Sequence, residues 1–168
     1  MKKIVIIGPE STGKSTLTEA LSKHYNMPFT YEYAREYIDQ LDREYDESDI
    51  LTIAKNQIEL EDTLSTNSHF LFLDTDLIVC KVWSEFKYGR CHPWILEQIS
   101  QRYYDHYLLC NIDLPWEEDS QREHPDHRQE LFDRYQSELK KYNKSYSIIS
   151  GVDRTQLAIN LLDQYLDH

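Results

Sequence analysis

Glycine is scarce in this chain, with four in 168 residues, which excludes collagen-like and Gly-rich flexible architectures and makes each glycine position informative. Cysteine is also sparse. Cys80, Cys91 and Cys110 are odd in number and show no CxxC spacing, so a disulfide framework is excluded and the thiols read as buried or idle in a reducing cytosol. No apolar run approaches the about 20 residues that a membrane helix requires. The opening "MKKIVIIG" stops its apolar run at Gly8, too soon for a secretory signal. Basic side chains are outnumbered, 18 against 30 acidic, for a formal charge of −12. Such a surface repels phosphate backbones and anionic membranes, which argues against nucleic-acid and membrane partners and for a cytoplasmic protein.

The length suits one domain over residues 1–168, and 40% hydrophobic residues supply one core. The acid is unevenly placed. Residues 36–76 carry twelve Asp/Glu and two Lys/Arg, a net of 2 − 12 = −10, so that third is strongly solvated or faces cationic company.

Strand-length apolar runs alternate with helix-period segments, the pattern of a mainly parallel sheet covered by helices. "KIVIIG" reads as a strand buried on both faces, and Ser15 to about Tyr25 as an amphipathic helix. "FTYEYA" (29–34) reads as a second strand, followed by an acid-rich helical stretch to about Asn67. "HFLFLDTD" (69–76) is a third strand ending in carboxylates. A helix over "LIVCKVWSEFKY" is stopped by Gly89, and "HPWILEQIS" restarts helix with Pro93 in its first turn. "YDHYLLCNID" and "SYSIISG" are strands four and five. Asp126 with Gln129, and Asp153 with Gln156, each have capping-box spacing before the last two helices.

Gly8-Pro9-Glu10-Ser11-Thr12-Gly13-Lys14-Ser15 fits GxxxxGK[ST], with a buried strand before it and an amphipathic helix after it. Glycine lets backbone amides turn inward and approach phosphate oxygens. Lys14 is then expected to reach the β and γ phosphates of ATP, and Ser15 to bind magnesium, with the helix N-terminus adding its dipole. A Mg·ATP site also needs a carboxylate at the tip of a neighbouring strand. Asp74 and Asp76 offer it, and share a face if the strand continues that far. The loop 113–128 reads as a lid, where an arginine, Arg122 or Arg128, would neutralise the transferring phosphoryl group. The loop Gly151 to Arg154, after strand five, is the expected adenine contact.

A GTPase should show NKxD and DxxG, but "NKSY" at 143–146 lacks the Asp and no DxxG follows strand three. Transport-type and ring-forming ATPases need more chain and further signatures. What remains is a kinase of a small molecule or nucleotide, in which catalysis is mostly positioning and charge neutralisation.

"GPESTGKST", "YEYAREY" (31–37), "FLDTD" (72–76), "HPW" (92–94) and "LPWEEDSQR" (114–122) together resemble the ribosylnicotinamide kinase domain of NadR-type proteins, from the first strand to the last helix. The resemblance implies an α/β P-loop NTPase fold, a parallel five-stranded sheet of order 2-3-1-4-5 flanked by helices, NMP-kinase-like with a lid. It implies ATP- and Mg2+-dependent phosphorylation of the 5′-hydroxyl of nicotinamide riboside to the mononucleotide. It makes Gly8 to Thr16 (Gly8, Glu10, Ser11, Thr12, Gly13, Lys14, Ser15, Thr16) the ATP cradle and Asp74 the acid at the metal. Glu32, Tyr33, Arg35, Asp76 and Trp116 become substrate contacts, and Arg122 the lid arginine. The sequence departs from the family pattern in three ways. It begins at the P-loop strand, so the adenylyltransferase activity of bifunctional members is expected to be absent. Tyr31 stands where Trp is usual, and Asp119-Ser120 replaces Asp-Gly in the lid.

A pyridinium ring is well held by aromatic faces and nearby carboxylates. Tyr31, Tyr33, Trp83, Trp94 and Trp116 are the aromatic candidates, and Asp74 or Asp76, ahead of Glu32, is the carboxylate expected to orient the hydroxyl. His92 is expected to cap a helix, and the histidines show no metal-ligand spacing. Two other readings stay open: a kinase of another nucleoside or hydroxylated metabolite, and a sensor that binds ATP or a pyridine nucleotide without turnover.

Overall fold

The computed structural model describes residues 1–64 and 68–166. Its sheet has five parallel strands, β1 (Lys2–Ile7), β2 (Phe29–Thr30), β3 (Phe70–Asp74), β4 (His106–Cys110) and β5 (Tyr146–Ile149), in the order β2-β3-β1-β4-β5. Parallel pairing requires a crossover after each strand. The helices α1 (Lys14–Tyr25), α2 (Tyr33–Asp39), α3 (Glu47–Leu64), α4 (Leu77–Tyr88), α5 (Pro93–Gln101), α6 (Arg128–Lys141) and α7 (Arg154–Leu166) provide the crossovers and cover both faces.

The strand pattern explains the layering. Side chains alternate across a strand, and Val5, Ile7, Leu71, Leu73, Tyr107 and Leu109 join one core with residues of α2 to α6. Ile4, Ile6, Phe70, Phe72, Leu108 and Cys110 join a second core with Leu17 and Leu21 of α1 and Ala158 and Leu162 of α7. Apolar side chains on both faces are what an interior parallel strand requires, and their absence of alternation with polar residues was the visible signal. Among the described residues no helix is long and apolar enough to cross a membrane.

Several local expectations are corrected. The second strand does not run to Ala34 but ends at Thr30. The buried amide of Gln57 explains why: its Oε1 accepts from Tyr33 N at 2.9 Å and its Nε2 donates to Tyr31 O at 3.2 Å. These bonds replace a continued ladder and turn the chain into α2. The acid-rich stretch is two helices rather than one, broken over residues 40–46; its expected end near Asn67 lies outside the described residues. Nor is all of its acid solvated. Asp49 is buried, accepting from Arg43 (2.7 and 2.9 Å), Tyr37 Oη and Asp46 N, and Arg43 holds its carboxyl well below the usual range. Glu61 is buried with Lys3, Arg102 and Tyr104 around it.

Gly89 (φ 73°) does cap α4, and His92 Nδ1 accepts from Trp94 N at the start of α5. Asp153 accepts from Gln156 N at 3.4 Å. The Asp126 capping box does not form: Pro125–His127 is a short 3-10 turn, and α6 follows His127 with no side-chain cap.

Candidate active site

The phosphate-loop segment leaves β1 at Ile7 and enters α1 at Lys14. Gly8 passes so close to β4 that a Cβ would lie 2.7 Å from Cys110 O, and Gly13 takes φ 77° at the α1 N-cap. Both positions therefore demand glycine, for close approach and for left-handed backbone respectively. The loop is braced internally, with Thr12 Oγ1 and Lys14 Nζ both donating to Pro9 O, at 2.8 and 3.0 Å. Gly8, Glu10, Ser11, Thr12, Gly13, Lys14, Ser15 and Thr16 all line one cavity of about 490 Å3.

Beneath the loop, Ser15 Oγ donates to Asp74 Oδ2 at 2.5 Å. Asp74 is buried and, among the described residues, its Oδ1 has no hydrogen-bond partner. Burial, helped by the nearby Glu32 carboxylate, pushes the Asp74 carboxyl up to about 6, against the pull of Ser15 and Lys14. A hydroxyl in the first turn of α1 and a carboxylate at the end of β3 with one oxygen still free form a donor set that fits Mg2+, which takes one or two protein oxygens and completes its shell with phosphates and water.

Asp74 and Asp76 do not share a face. The strand ends at Asp74, and Thr75 adopts φ 70°, a conformation a β-branched residue accepts only where its surroundings enforce it. The turn sends the Asp76 side chain away from the cavity. Its Oδ1 accepts from Ile78 N as the α4 N-cap, and its Oδ2 accepts from Tyr107 Oη at 2.7 Å. Asp76 is thus a buried brace outside the cavity lining rather than a wall residue, and burial pushes its carboxyl up to about 6.

The other half of the cavity is walled by side chains from separate segments. Glu32 and Arg35 come from the start of α2, and Val79, Trp83 and Phe86 from one face of α4. Tyr45, from the α2–α3 connection, and Leu131 and Tyr135 of α6 complete this wall. The ring of Tyr45 meets Trp83 edge-on at 5.0 Å.

The segment 113–128 spans both halves. Glu10 accepts from Glu123 N (3.2 Å) and His124 N (3.0 Å), and Ser11 Oγ accepts from Glu117 N at 2.8 Å. On the other side Arg35 pairs with Asp119 at 2.8 Å, and Gln121 Nε2 donates to Arg35 O. Arg122 lines the cavity and donates to Glu117 O and, at 3.4 Å, to Ser11 Oγ. Among the described residues Ser120 is not in positive-φ backbone, so the turn over 119–122 has no need of the glycine that stands there in the family pattern.

Other expected side chains are engaged elsewhere. The Arg128 guanidinium donates to Ser11 O, Ile112 O and Leu114 O and does not line the cavity; it braces the lid base against the phosphate loop. Trp116 lies outside the lining, with Nε1 donating to Glu118 and its ring centroid 6.0 Å from the Arg128 guanidinium. Tyr33 also lies outside it, its ring against Tyr37. Tyr31 is exposed and Trp94 has Lys55 over its ring. The loop after β5 does reach the cavity through Val152 and Arg154, the latter fixed by Ile149 O, Asn111 O and Asp113.

Sequence reasoning missed Tyr45, Phe86, Tyr135, Glu123 and His124 as lining residues. The spacing of Val79, Trp83 and Phe86, at i, i+4 and i+7, was a readable signal for one helical face. Nothing local marks Tyr45 or Glu123, which tertiary structure brings to the site.

The profile of the family described as AAA domain (AAA_28) matches residues 3–156. The trifunctional NAD biosynthesis/regulator protein NadR of Salmonella typhimurium is 27% identical over 128 residues, covering 73% of this chain and 31% of its own length. NadR of Escherichia coli strain K12 gives the same identity and coverage. The chain therefore spans about a third of the length of these curated relatives. Among solved structures, NadR protein in complex with NR superposes with a TM-score of 0.82 at 23% identity, over 98% of this chain and 50% of that one. Deoxyadenosine kinase from M. mycoides superposes at 0.66 with 15% identity, over 96% and 99%. The strand order, the phosphate loop and the match over residues 3–156 place this chain in the AAA_28 family of AAA-domain P-loop proteins.

Proposed function

We propose that this protein is a kinase that uses Mg·ATP to phosphorylate the 5′-hydroxyl of a nucleoside, with nicotinamide riboside as its acceptor. The observation that carries the reading is the joining, in one cavity, of a phosphate loop to a wall holding Glu32, Trp83 and Phe86. Aromatic faces and a carboxylate suit a cationic pyridinium. Similarity to NadR, solved with NR and with NAD and AMP-PNP, supports both ligand classes.

Glu32 takes the role of base. Asp74 is engaged by Ser15, and Asp76 by Tyr107 and the α4 N-terminus, whereas Glu32 lines the cavity. In the reaction the acceptor oxygen bonds to the γ-phosphorus as the bond from that phosphorus to the β,γ-bridging oxygen breaks. The hydroxyl proton passes to a Glu32 carboxylate oxygen, and ADP leaves. Lys14, the loop amides and Arg122 supply positive charge to the transferring group. Magnesium, held by Ser15 and Asp74, would supply further charge to the phosphate oxygens.

The test is ADP release with Mg·ATP and a panel of nicotinamide riboside, common nucleosides, nucleoside monophosphates and no acceptor. Release with the riboside, with the mononucleotide as product, is expected. Release only with another nucleoside keeps the chemistry and overturns the acceptor. Tight nucleotide binding with no release from any acceptor overturns the kinase.

A further inference from the structure

Glu123 is held from two directions by two different parts of the site. Its main-chain amide donates to Glu10 of the phosphate loop at 3.2 Å. Its carboxylate accepts from Tyr45 Oη at 2.6 Å and from Lys87 Nζ at 3.2 Å, both on the acceptor side. The Tyr45 hydroxyl has no further capacity: it donates to Glu123 and accepts from Lys87 Nζ (2.6 Å) and Trp83 Nε1 (3.1 Å), which fills its one donor and two acceptor positions. Lys87 also lies over the Tyr45 ring, 3.8 Å from its centroid. Burial and the Glu123 carboxylate push the phenol well above its ordinary value, so it remains a donor at any working pH. A hydroxyl saturated by protein partners has no bond to offer a substrate. Its position, joining the wall beside Trp83 to a lid residue that is bonded to the phosphate loop, suits a link.

We propose that the Tyr45–Glu123 contact couples the two half-sites, so that nucleotide on the phosphate loop and acceptor against Trp83 strengthen each other's binding. Nucleotide orders the lid through the loop; acceptor orders the wall through Trp83 and Tyr45; Glu123 is the residue at which both ordered surfaces meet. Whichever ligand binds first has already ordered part of what the second would otherwise order, and such coupling is reciprocal. Tyr45 and Glu123 are positioning residues. The proposal rests on the acceptor reading given above.

The experiment measures affinity for a non-hydrolysable ATP analogue with Mg2+, with and without nicotinamide riboside, in wild type, Tyr45→Phe and Glu123→Gln. The wild type should show mutual tightening of about tenfold, within the usual span of such couplings. Tyr45→Phe keeps the ring against Trp83 and should reduce the tightening toward one, more than it weakens either ligand alone. Glu123→Gln still accepts from Tyr45 and should retain part of the coupling. Undiminished coupling in Tyr45→Phe overturns the proposal, as does a loss confined to single-ligand affinities.

A second readout needs no acceptor. Tryptic cleavage after Arg122, followed by mass spectrometry with the analogue bound, should be several-fold faster in Tyr45→Phe than in wild type. Equal cleavage rates overturn the link, as does equal acceleration with and without analogue, which would mark a purely structural brace. If the riboside fails to bind the wild type, the acceptor assignment fails, and the cleavage rates still decide on Tyr45.

Discussion

The phosphate loop and the acceptor wall are built in opposite ways. The loop is eight consecutive residues, Gly8 to Ser15, whose shape is set by backbone: Gly8 lies against the carbonyl of Cys110, Gly13 is left-handed, and Pro9 O gathers Thr12 and Lys14. The wall takes single side chains from α2, the α2–α3 connection, α4 and α6. A backbone site binds a feature that every nucleoside triphosphate shares, and a side-chain site can be retuned one residue at a time. Under the proposed function, general chemistry belongs to the first and selectivity to the second.

Substitutions can break this division. The largest effect should come from Glu32→Gln, which keeps the shape of the wall but removes the proton acceptor. A drop in kcat of about 10³-fold is expected, within the range for general-base catalysis, with nucleotide affinity little changed; steady-state kinetics with the riboside reads both. Lys14→Ala should lower kcat by about 10²- to 10³-fold, the loss typical of one charge-stabilising donor. Melting temperature should be nearly unchanged, because Thr12 still braces Pro9. If Lys14→Ala turns over normally, the loop is not the phosphate site.

The buried brace beneath the two halves gives a smaller effect with a defined sign. The Asp76 carboxyl is pushed from 3.8 up to about 6 by burial, so the fold prefers it protonated. A raised carboxylate makes folding take up a proton, and that contribution to stability fades as pH rises through about 6. Asp76→Asn has no such group, and Tyr107 can accept from its amide. Its stability relative to wild type should rise between pH 4.5 and 7 by roughly 2 kcal/mol, read from urea unfolding at the two pH values. A pH-independent difference would show that Asp76 titrates normally. The smallest effect is on selectivity. Trp83→Ala should raise the riboside KM about tenfold, as expected for losing a cation–π face of about 1–2 kcal/mol, with a smaller rise in the KM for ATP as the coupling through Tyr45 is lost.

The division between loop and wall also governs what could be read beforehand. A consecutive motif with a buried strand before it and an amphipathic helix after it carries its own geometry, so the cradle residues were recognisable one by one. Both-face apolar strands made the parallel sheet legible. Asp74 and Asp76 share a face only if the strand runs to residue 76, and the left-handed Thr75 that ends it carries no glycine to betray the turn. A polar loop marks Trp116 and Arg128 as candidates without saying which way they turn, and the fold sets them near each other at the lid base, outside the cavity lining. Tyr45 lies in a stretch with no periodicity, and only the fold puts its hydroxyl on Glu123.

The contact of Gly8 with Cys110 O has a mechanical consequence. A loop packed without clearance onto the central strands cannot give way when ligands arrive without moving the sheet. Adjustment is therefore left to segment 113–128, which is hydrogen-bonded to the loop, and to the α2–α3 connection, which meets that segment through Tyr45. In amide hydrogen exchange the protein should separate into a slow frame that includes residues 4–15 and a fast rim, with ligands slowing the rim and, inside the frame, only the loop amides that meet phosphate.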